Sequence, residues 1–219
     1  MRIFFLNKYI LALTLTASSL TSGISNAALI DDFNGAYNAN APVWSGAVNN
    51  FAYAPAFGGS RTISLASTGS TYQANVIVDD EKYTHNSNSG ISATSIISWD
   101  SASAVDLTDG GDSIAFALDI IGIDVGSVLF TLNVTDHFNA FSSFSFNLLA
   151  GTTGVQYIDF TSFSGIDFDD VRAVSLEIAG GLDTDVALGS IATVPAPPAL
   201  ALLSVGLAML GFSNRKVNA

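Results

Sequence analysis

Hydrophobic and polar residues alternate along the middle of the chain. Many of these runs have Ser, Thr, Asn or Asp between their apolar positions, and no helical period stands out between residues 28 and 194. Because successive side chains of a strand point to opposite faces, this pattern predicts strands with one buried face. Weaker alternation covers Tyr72 to Val78 and Ile91 to Trp99. The clearest runs place their apolar side chains at Ile114-Phe116-Leu118-Ile120, Val128-Phe130-Leu132-Val134, Phe144-Phe146-Leu148 and Val174-Leu176-Ile178.

Turn residues separate these runs at short intervals. Glycine-rich positions such as Gly58-Gly59, Asp109-Gly110-Gly111 and Gly180-Gly181 fall between them. Short strands with regular turn signals are typical of an all-β domain, an antiparallel β-sandwich or jelly roll. We assign this domain to residues 28–193, a length that suits one substantial core.

The first 27 residues have the organisation of a secretory signal peptide. Arg2 and Lys8 supply positive charge, an apolar stretch follows, and Ser25-Asn26-Ala27 is a small-x-small cleavage site. We predict cleavage between Ala27 and Ala28. The chain is therefore expected to be exported, with the Sec translocon and signal peptidase as partners.

Residues 194–219 combine three features in a fixed order. The segment Val194-Pro195-Ala196-Pro197-Pro198 is rich in proline, which fixes φ and favours an extended, exposed chain. An apolar stretch at 199–213 follows, and the pair Arg215 and Lys216 stands behind it. The apolar stretch predicts a single transmembrane helix at 199–213. By the positive-inside rule, the two cations hold the C-terminus in the cytoplasm.

These three features resemble the PEP-CTERM sorting domain of Gram-negative bacteria. The processing motif would be Val194, Pro195, Ala196 and Pro197, with alanine at the position where that family usually has glutamate. The resemblance implies that exosortase, a membrane-embedded cysteine protease or transpeptidase, is a partner and removes the tail. It implies a transient inner-membrane anchor, then an extracellular or cell-surface location, and a role with exopolysaccharide in biofilm matrix. An ordinary C-terminal anchor that is never cut is the alternative.

Charge and cysteine content exclude several classes of function. All 19 acidic residues fall between residues 28 and 194, against Arg61, Lys82 and Arg172, so the formal charge of this part is 3 − 19 = −16. Such a surface repels nucleic acid. The chain has no cysteine, which excludes disulfides, thiol catalysis and cysteine-ligated zinc.

The two ends of the domain carry a second resemblance. Its opening Leu29 to Phe33, and the strand-like acidic segments from Ile166 to Ile191, resemble galactose-binding-like jelly rolls of carbohydrate-binding modules. In such folds the first and last strands are neighbours, which would bring Asp31, Asp32, Asp183 and Asp185 together. Carboxylate oxygens suit Ca²⁺, so a structural calcium site is one interpretation. Acids that simply solvate strand ends are the other, and no cofactor is required.

The aromatic residues offer candidate ligand contacts. Trp44 and Trp99 could stack on a sugar ring, and the irregular stretch between Phe33 and Gly59 is the favoured binding loop. Neither His85 nor His137 is accompanied by a nucleophile elbow or another catalytic motif.

These observations favour a non-catalytic secreted or surface protein of the exopolysaccharide matrix. A carbohydrate-binding module with a defined glycan site is the alternative hypothesis. An extracellular hydrolase is the third, and it would need a specific pair of acids that the sequence does not single out.

Overall fold

The computed structural model describes residues 28–34, 43–44, 46, 48–51, 57, 59–70, 72–79 and 81–195. None of the helices in these ranges has the length and apolar character needed to cross a membrane. The predicted signal peptide, the residues from Ala196 to Ala219 with Pro197, Arg215 and Lys216, and most of the predicted binding loop lie outside the described residues.

The described chain consists of β-strands and one short 3-10 helix, Phe160–Ser162. The strands are β1 (Leu29–Asp31), β2 (Val43–Trp44), β3 (Val48–Phe51), β4 (Gly59–Ser67), β5 (Ala74–Asp79), β6 (Lys82–Ser87), β7 (Ser92–Val105), β8 (Ser113–Ile123), β9 (Ser127–Asp136), β10 (Phe141–Leu149), β11 (Gly154–Asp159), β12 (Val171–Leu182) and β13 (Val186–Pro195).

The strands form two antiparallel sheets. Sheet A has the order β11-β8-β13-β6-β5-β2, and β1 also pairs with β13. Sheet B has the order β10-β9-β12-β7-β4-β3. The strand pairs are antiparallel. The all-β class and the antiparallel β-sandwich predicted from the sequence are therefore confirmed.

The core lies between the sheets and is built from the alternating positions. Val128, Phe130, Leu132 and Val134 of β9 are all fully buried, and the partner positions Val174, Leu176 and Ile178 of β12 are at most 1% exposed. The alternation fails at β8, where Ala115 and Phe116 are both buried and Ile114 turns outward. Tyr72 precedes β5 and is 73% exposed. The predicted core residues of β10 are only half-buried, because β10 is the last strand of its sheet.

The two ends of the described domain lie side by side. In the β1–β13 pair, Leu29 is opposite Ala192. The amide of Ala28 donates to Thr193 Oγ1 at 3.0 Å, and the amide of Thr193 donates to the Ala28 carbonyl at 2.8 Å. Strand β13 continues through Val194 to Pro195, where it still pairs with β8. Val194 and Pro195, the first two residues of the predicted sorting motif, are therefore residues of β13, and both are half-buried. The strand extends two positions beyond residue 193, where the domain was predicted to end.

Candidate functional site

Two adjoining depressions that share Ile121 follow β13 on the outer face of sheet A, and together they are called the groove. Its floor is formed by the small residues Ala187 and Gly189 of β13, which lies between β6 and β8 in the sheet. A Cβ atom at position 189 would lie 2.5 Å from Asp119 Oδ2 and 3.6 Å from Ile121 Cδ1. Gly189 therefore provides the space that the Asp119 carboxylate occupies, and a side chain at position 189 would push this carboxylate aside.

The walls of the groove come from the strands on either side. Strand β6 contributes Lys82, Thr84 and Asn86, and β8 contributes Asp119 and Ile121. Lys82, Thr84 and Asn86 alternate along β6, and Thr84 belongs to a continuous row of Ile77, Thr84, Ala187 and Gly122 across β5, β6, β13 and β8. The β13–β8 register shifts beside Gly122, and Asp119 and Ile121 line the same groove. The Ile121 side chain is 40% exposed and supplies apolar surface in the middle of the groove.

Two carboxylates mark one end of the groove. Asp124 accepts the amide of Asp185 at 2.6 Å, and Asp185 Oδ1 accepts the amide of Ser87 at 2.9 Å. Partial burial raises the pKa of the Asp185 carboxyl; the Ser87 amide opposes this, and the nearby Asp124 carboxylate adds to it. The other end carries Asp32, Glu81 and Lys82.

An aromatic pair lies on the same face, beyond β5. Trp44 of β2 is half-buried and packs edge-to-face on Tyr72, with ring centroids 5.3 Å apart. Trp44 is paired with Asn75, and Asn75 with Asn86. The Asn86 amide donates to Asn75 Oδ1 at 2.9 Å. An aromatic ring and two amides therefore form one row that leads across the strands to the groove, over about 10 Å at roughly 4.8 Å per strand.

Trp99 does not belong to this surface. Its side chain is fully buried, and its indole N–H donates to Asp31 Oδ2 at 2.7 Å. The prediction that Trp99 stacks on a glycan is therefore wrong, because β7 is an inner strand of sheet B and Trp99 is on its core face. Trp44 is on an outer face, and its role as a ligand contact stays a prediction.

The four aspartates predicted to share a calcium ion lie at two different places. Asp31 pairs with Ile191 in the middle of β13, whereas Asp183 and Asp185 precede the first residue of that strand. The Asp31 carboxylate is buried against Arg61, and Asp183 Oδ1 accepts the amide of Gly90. The first and last strands are neighbours as expected, but their antiparallel direction separates the acids. Residues 28–195, as far as they are described, contain no group of three or more metal-ligating side chains.

The outer face of sheet B is the other polar surface. Hydroxyl and amide side chains of β7, β9 and β12 pair across the strands there, as in the row Asn133, Ser175 and Ser98. The Asn133 amide donates to Ser175 Oγ at 3.2 Å. The depression among these groups includes Arg172 and Asp100 in its lining. Sheet B therefore also presents a polar depression, and no glycine is among the described residues that line it.

Sequence reasoning missed the residues that shape the groove. Asn75, Asn86 and Thr84 are ordinary outward positions in the alternating pattern, and nothing local distinguishes them. Gly189 did carry a signal, because it interrupts the apolar segment from Val186 to Ile191 at a place where the β13–β8 register shifts. A glycine within a strand often marks a bulge or a close approach.

These features define a class: a small all-β sandwich domain with a polar groove on the outer face of one sheet. No protein-family model and no curated protein matches the sequence. Among solved structures, an agarase matches 79% of this chain with a TM-score of 0.51 and 14% identity, and the match spans 25% of the agarase chain. This likeness shows a shared sandwich fold.

Carbohydrate-binding modules give more distant matches. A family 11 module from Clostridium thermocellum, in complex with a beta-1,3-1,4-mixed-linked tetrasaccharide, matches 80% of this chain and 98% of its own, with a TM-score of 0.43 and 12% identity. The solution structure of a module named CtCBM11 matches 81% and 99%, with a TM-score of 0.43 and 14% identity.

Proposed function

We propose that this protein is a non-catalytic glycan-binding module, and that the groove along β13 holds the glycan. The observation that carries the proposal is the line of groups on the outer face of sheet A. The Trp44–Tyr72 pair, the amides of Asn75 and Asn86, and the glycine-floored groove lie on one continuous surface.

The chemistry of these groups suits a polyol. Amide, hydroxyl and carboxylate groups provide donors and acceptors for sugar hydroxyls, and a partly exposed aromatic ring can pack on the apolar face of a sugar. Ligand sites are usually concave, largely preformed, and combine apolar surface with a few convergent polar groups. Here the Ile121 side chain and the Gly189 floor provide the apolar surface, and Thr84 and Asn86 provide the polar groups.

The charge of the groove selects the class of glycan. Asp119, Asp124 and Asp185 line it together with Asp32 and Glu81, and Lys82 is the cation among its lining residues. Carboxylates this close together repel uronate and sulfate groups. We therefore propose neutral polysaccharides as ligands and polyuronates as non-ligands.

Two substitutions test the groove directly. Gly189→Val should abolish binding to a panel of neutral polysaccharides, such as mixed-linkage β-glucan and agarose, because the new side chain occupies the groove. Trp44→Ala should weaken binding about tenfold, which corresponds to roughly 1.4 kcal/mol of lost stacking. Affinity electrophoresis and calorimetry on the purified protein measure both effects, with alginate as the anionic comparison.

Phe138→Ala is the matched control. Phe138 is 76% exposed in the turn after β9, away from sheet A, and its loss should leave the affinity unchanged. Unfolding curves of each variant separate a blocked groove from a lost fold. The proposal fails if the wild-type protein binds none of the neutral polysaccharides, or if Gly189→Val and Trp44→Ala bind them as well as wild type does. Release of reducing ends from the same panel would instead indicate the hydrolase hypothesis.

We infer further that the module is exported and handled by exosortase through its C-terminal tail. Ala28 and Thr193 are hydrogen-bonded to each other. The residues next to the predicted signal-peptide cleavage site and the predicted sorting motif therefore lie at the same end of the sandwich. The Asp124–Asp185 end of the groove lies at the start of β13, far from that end of the sandwich. A domain held at the membrane by its tail would therefore present that end of the groove outward, toward extracellular polysaccharide.

The intact mass of the protein recovered from cells and medium tests this handling. We expect a mature species that begins at Ala28 and ends at or shortly after Pro195, since an earlier cut would remove residues from β13. A species that still ends at Ala219 and is found only in membranes would contradict exosortase processing and indicate a permanent anchor.

A further inference from the structure

The two strands at one edge of the sandwich contain a single charged residue, Asp159. From Phe138 to Ile158 the sequence contains no Asp, Glu, Lys or Arg, although the domain carries a formal charge of 3 − 19 = −16. This stretch includes all of β10 and all of β11 except Asp159. Strand β10 is the last strand of sheet B, and β11 is the last strand of sheet A. The uncharged stretch thus supplies the end strand of each sheet, apart from Asp159.

Strand β10 has the properties of an unprotected sheet edge. In the described chain it pairs with β9 alone, over nine residues and without a register shift. Natural proteins usually protect such edges with a charged residue, a proline, a bulge or a very short strand. The β10 sequence FSSFSFNLL has none of these. The Ser164 amide donates to Ser142 Oγ at 3.1 Å, but among the described residues no second strand pairs with β10, so its outward N–H and C=O groups can receive another strand.

Large apolar side chains are exposed along the same side. Phe141 and Leu149, at the two ends of β10, are 64% and 67% exposed, and Tyr157 of β11 is 67% exposed. Phe141, Ser143, Ser145, Asn147 and Leu149 share the outer face of the sheet, since they alternate along the strand. An exposed strand edge with apolar ends is a surface that association would bury.

We propose that the β10 edge binds a second copy of this chain, by antiparallel pairing of β10 with β10 of the other copy about a two-fold axis at Ser145. In such a pair, residues equally far from the axis face each other. Phe141 of one copy then faces Leu149 of the other, and Phe144 faces Phe146. A pairing centred on another residue would leave Phe141 or Leu149 without an apolar partner.

Electrostatics supports the choice of a second copy over a different protein. Two domains of charge −16 repel each other over most of their surfaces, so association is least opposed where neither copy carries charge. The uncharged strand β10 offers no ionic attraction to a cationic or anionic partner. The β10 sequence is self-complementary in composition, since apolar residues stand at both of its ends, as a two-fold interface requires.

The absence of cysteine from the chain allows a direct test of the register. Ser145→Cys places two thiols across the axis, at a Cα separation of about 4.5 to 5.5 Å, within the range that a disulfide spans. Under mild oxidation of the purified full chain, we expect about tenfold more disulfide-linked dimer than from Ser103→Cys, an exposed control in β7. Ser143→Cys alone should cross-link poorly, whereas a mixture of Ser143→Cys and Asn147→Cys should form the mixed dimer.

Sedimentation equilibrium gives an independent readout. The wild-type protein and Ser103→Glu should be dimeric, and Ser145→Glu monomeric, because the two new carboxylates would face each other across the axis. A wild-type protein that is monomeric, or Ser145→Cys that cross-links no better than Ser103→Cys, would overturn the proposal. A dimer that persists in the Ser145→Glu variant would show that the interface lies elsewhere, and it would also overturn the proposal. Polysaccharide binding is measured separately, so failure of the dimer leaves the groove proposal standing.

Discussion

Asp31→Ala should lower the free energy of unfolding by about 3 to 5 kcal/mol, the usual loss when one partner of a buried ion pair is removed. Asp31 is fully buried and Arg61 is 1% exposed. Arg61 Nη1 donates to Asp31 Oδ1 at 3.0 Å and to Oδ2 at 2.8 Å. The substitution would leave the guanidinium buried without this carboxylate. Because small domains are stable by roughly 5 to 15 kcal/mol, much of the protein would unfold at moderate temperature.

Asp31 matters this much because it joins the two sheets. It lies in β1 of sheet A, whereas Arg61 and Trp99 lie in β4 and β7 of sheet B. The Trp99 indole donates to Oδ2 at 2.7 Å, and the Phe33 amide donates to Oδ1 at 2.8 Å. Phe33 has a positive φ of 53°, which a phenylalanine rarely adopts, and this hydrogen bond helps to hold it. Each of these donors would lose its acceptor together with the ion pair.

Asp32→Ala is the matched control for this prediction. Asp32 is adjacent in sequence, but its carboxylate accepts the exposed amide of Asn34 at 2.9 Å. Its loss should cost about 0.5 to 1.5 kcal/mol. Urea unfolding curves measure both variants. Similar losses at the two positions would contradict the role assigned to Asp31, and the double variant Asp31→Leu, Arg61→Met should recover much of the stability.

When the pH falls from 6.5 to 4, the protonation of His85 should by itself reduce the free energy of unfolding by about 3 kcal/mol. His85 is fully buried in β6; its Nδ1 lies 2.7 Å from Ser95 Oγ, and its Nε2 has no hydrogen-bond partner among the residues that the structure describes. Burial disfavours the imidazolium and lowers the pKa of His85 from 6.5 to about 4. The folded protein keeps His85 neutral in this window while the unfolded chain binds a proton. Stability is therefore complete above pH 6.5 and is lost as the pH falls to about 4.

His85→Leu separates this effect from the titration of the carboxylates. The variant should lose the His85 share of the pH dependence, whatever its stability at neutral pH. His137→Gln should keep the wild-type profile because His85 remains in place. Unfolding free energies at several pH values between 6.5 and 4 give the comparison. Parallel profiles for His85→Leu and the wild-type protein would show that the buried imidazole is not the group that titrates.

Asp31 and Asp32 illustrate how the sequence pattern can mislead. Asp31 and Asp32 look equivalent in the sequence, as two carboxylates next to a short apolar strand. In the fold one carboxylate is enclosed between the sheets and the other stays near solvent. The difference depends on Arg61 and Trp99, which are 30 and 68 positions away from Asp31. Contacts at such separations leave no periodic signal.

The proposed functions place two kinds of contact on different parts of the molecule. The groove along β13 and the Trp44–Tyr72 pair occupy the outer face of sheet A. The β10 edge ends sheet B. A dimer formed through β10 would leave the groove of each copy open, so that one particle could hold two glycan chains. Two linked sites raise the overall avidity for a polymer without any new contact within either site.

The sequence by itself determined the class of the domain. Alternation of period two over the stretches that became β9 and β12, with glycine-rich turns between strands, was enough to predict an antiparallel sandwich, because the alternation follows from strand geometry at each residue. The acidic charge and the lack of cysteine also come from composition alone. The tail from Ala196 onward and the signal peptide remain sequence predictions outside the described residues.

Only the tertiary structure decided which residues form a surface. It placed Trp99 in the core and Trp44 on an outer face, separated Asp31 from Asp185, and revealed Gly189 as the floor of a groove between β6 and β8. Each of these outcomes depends on which strands are neighbours and on the direction in which they run. Those properties are set by contacts between distant parts of the chain, which local periodicity does not encode.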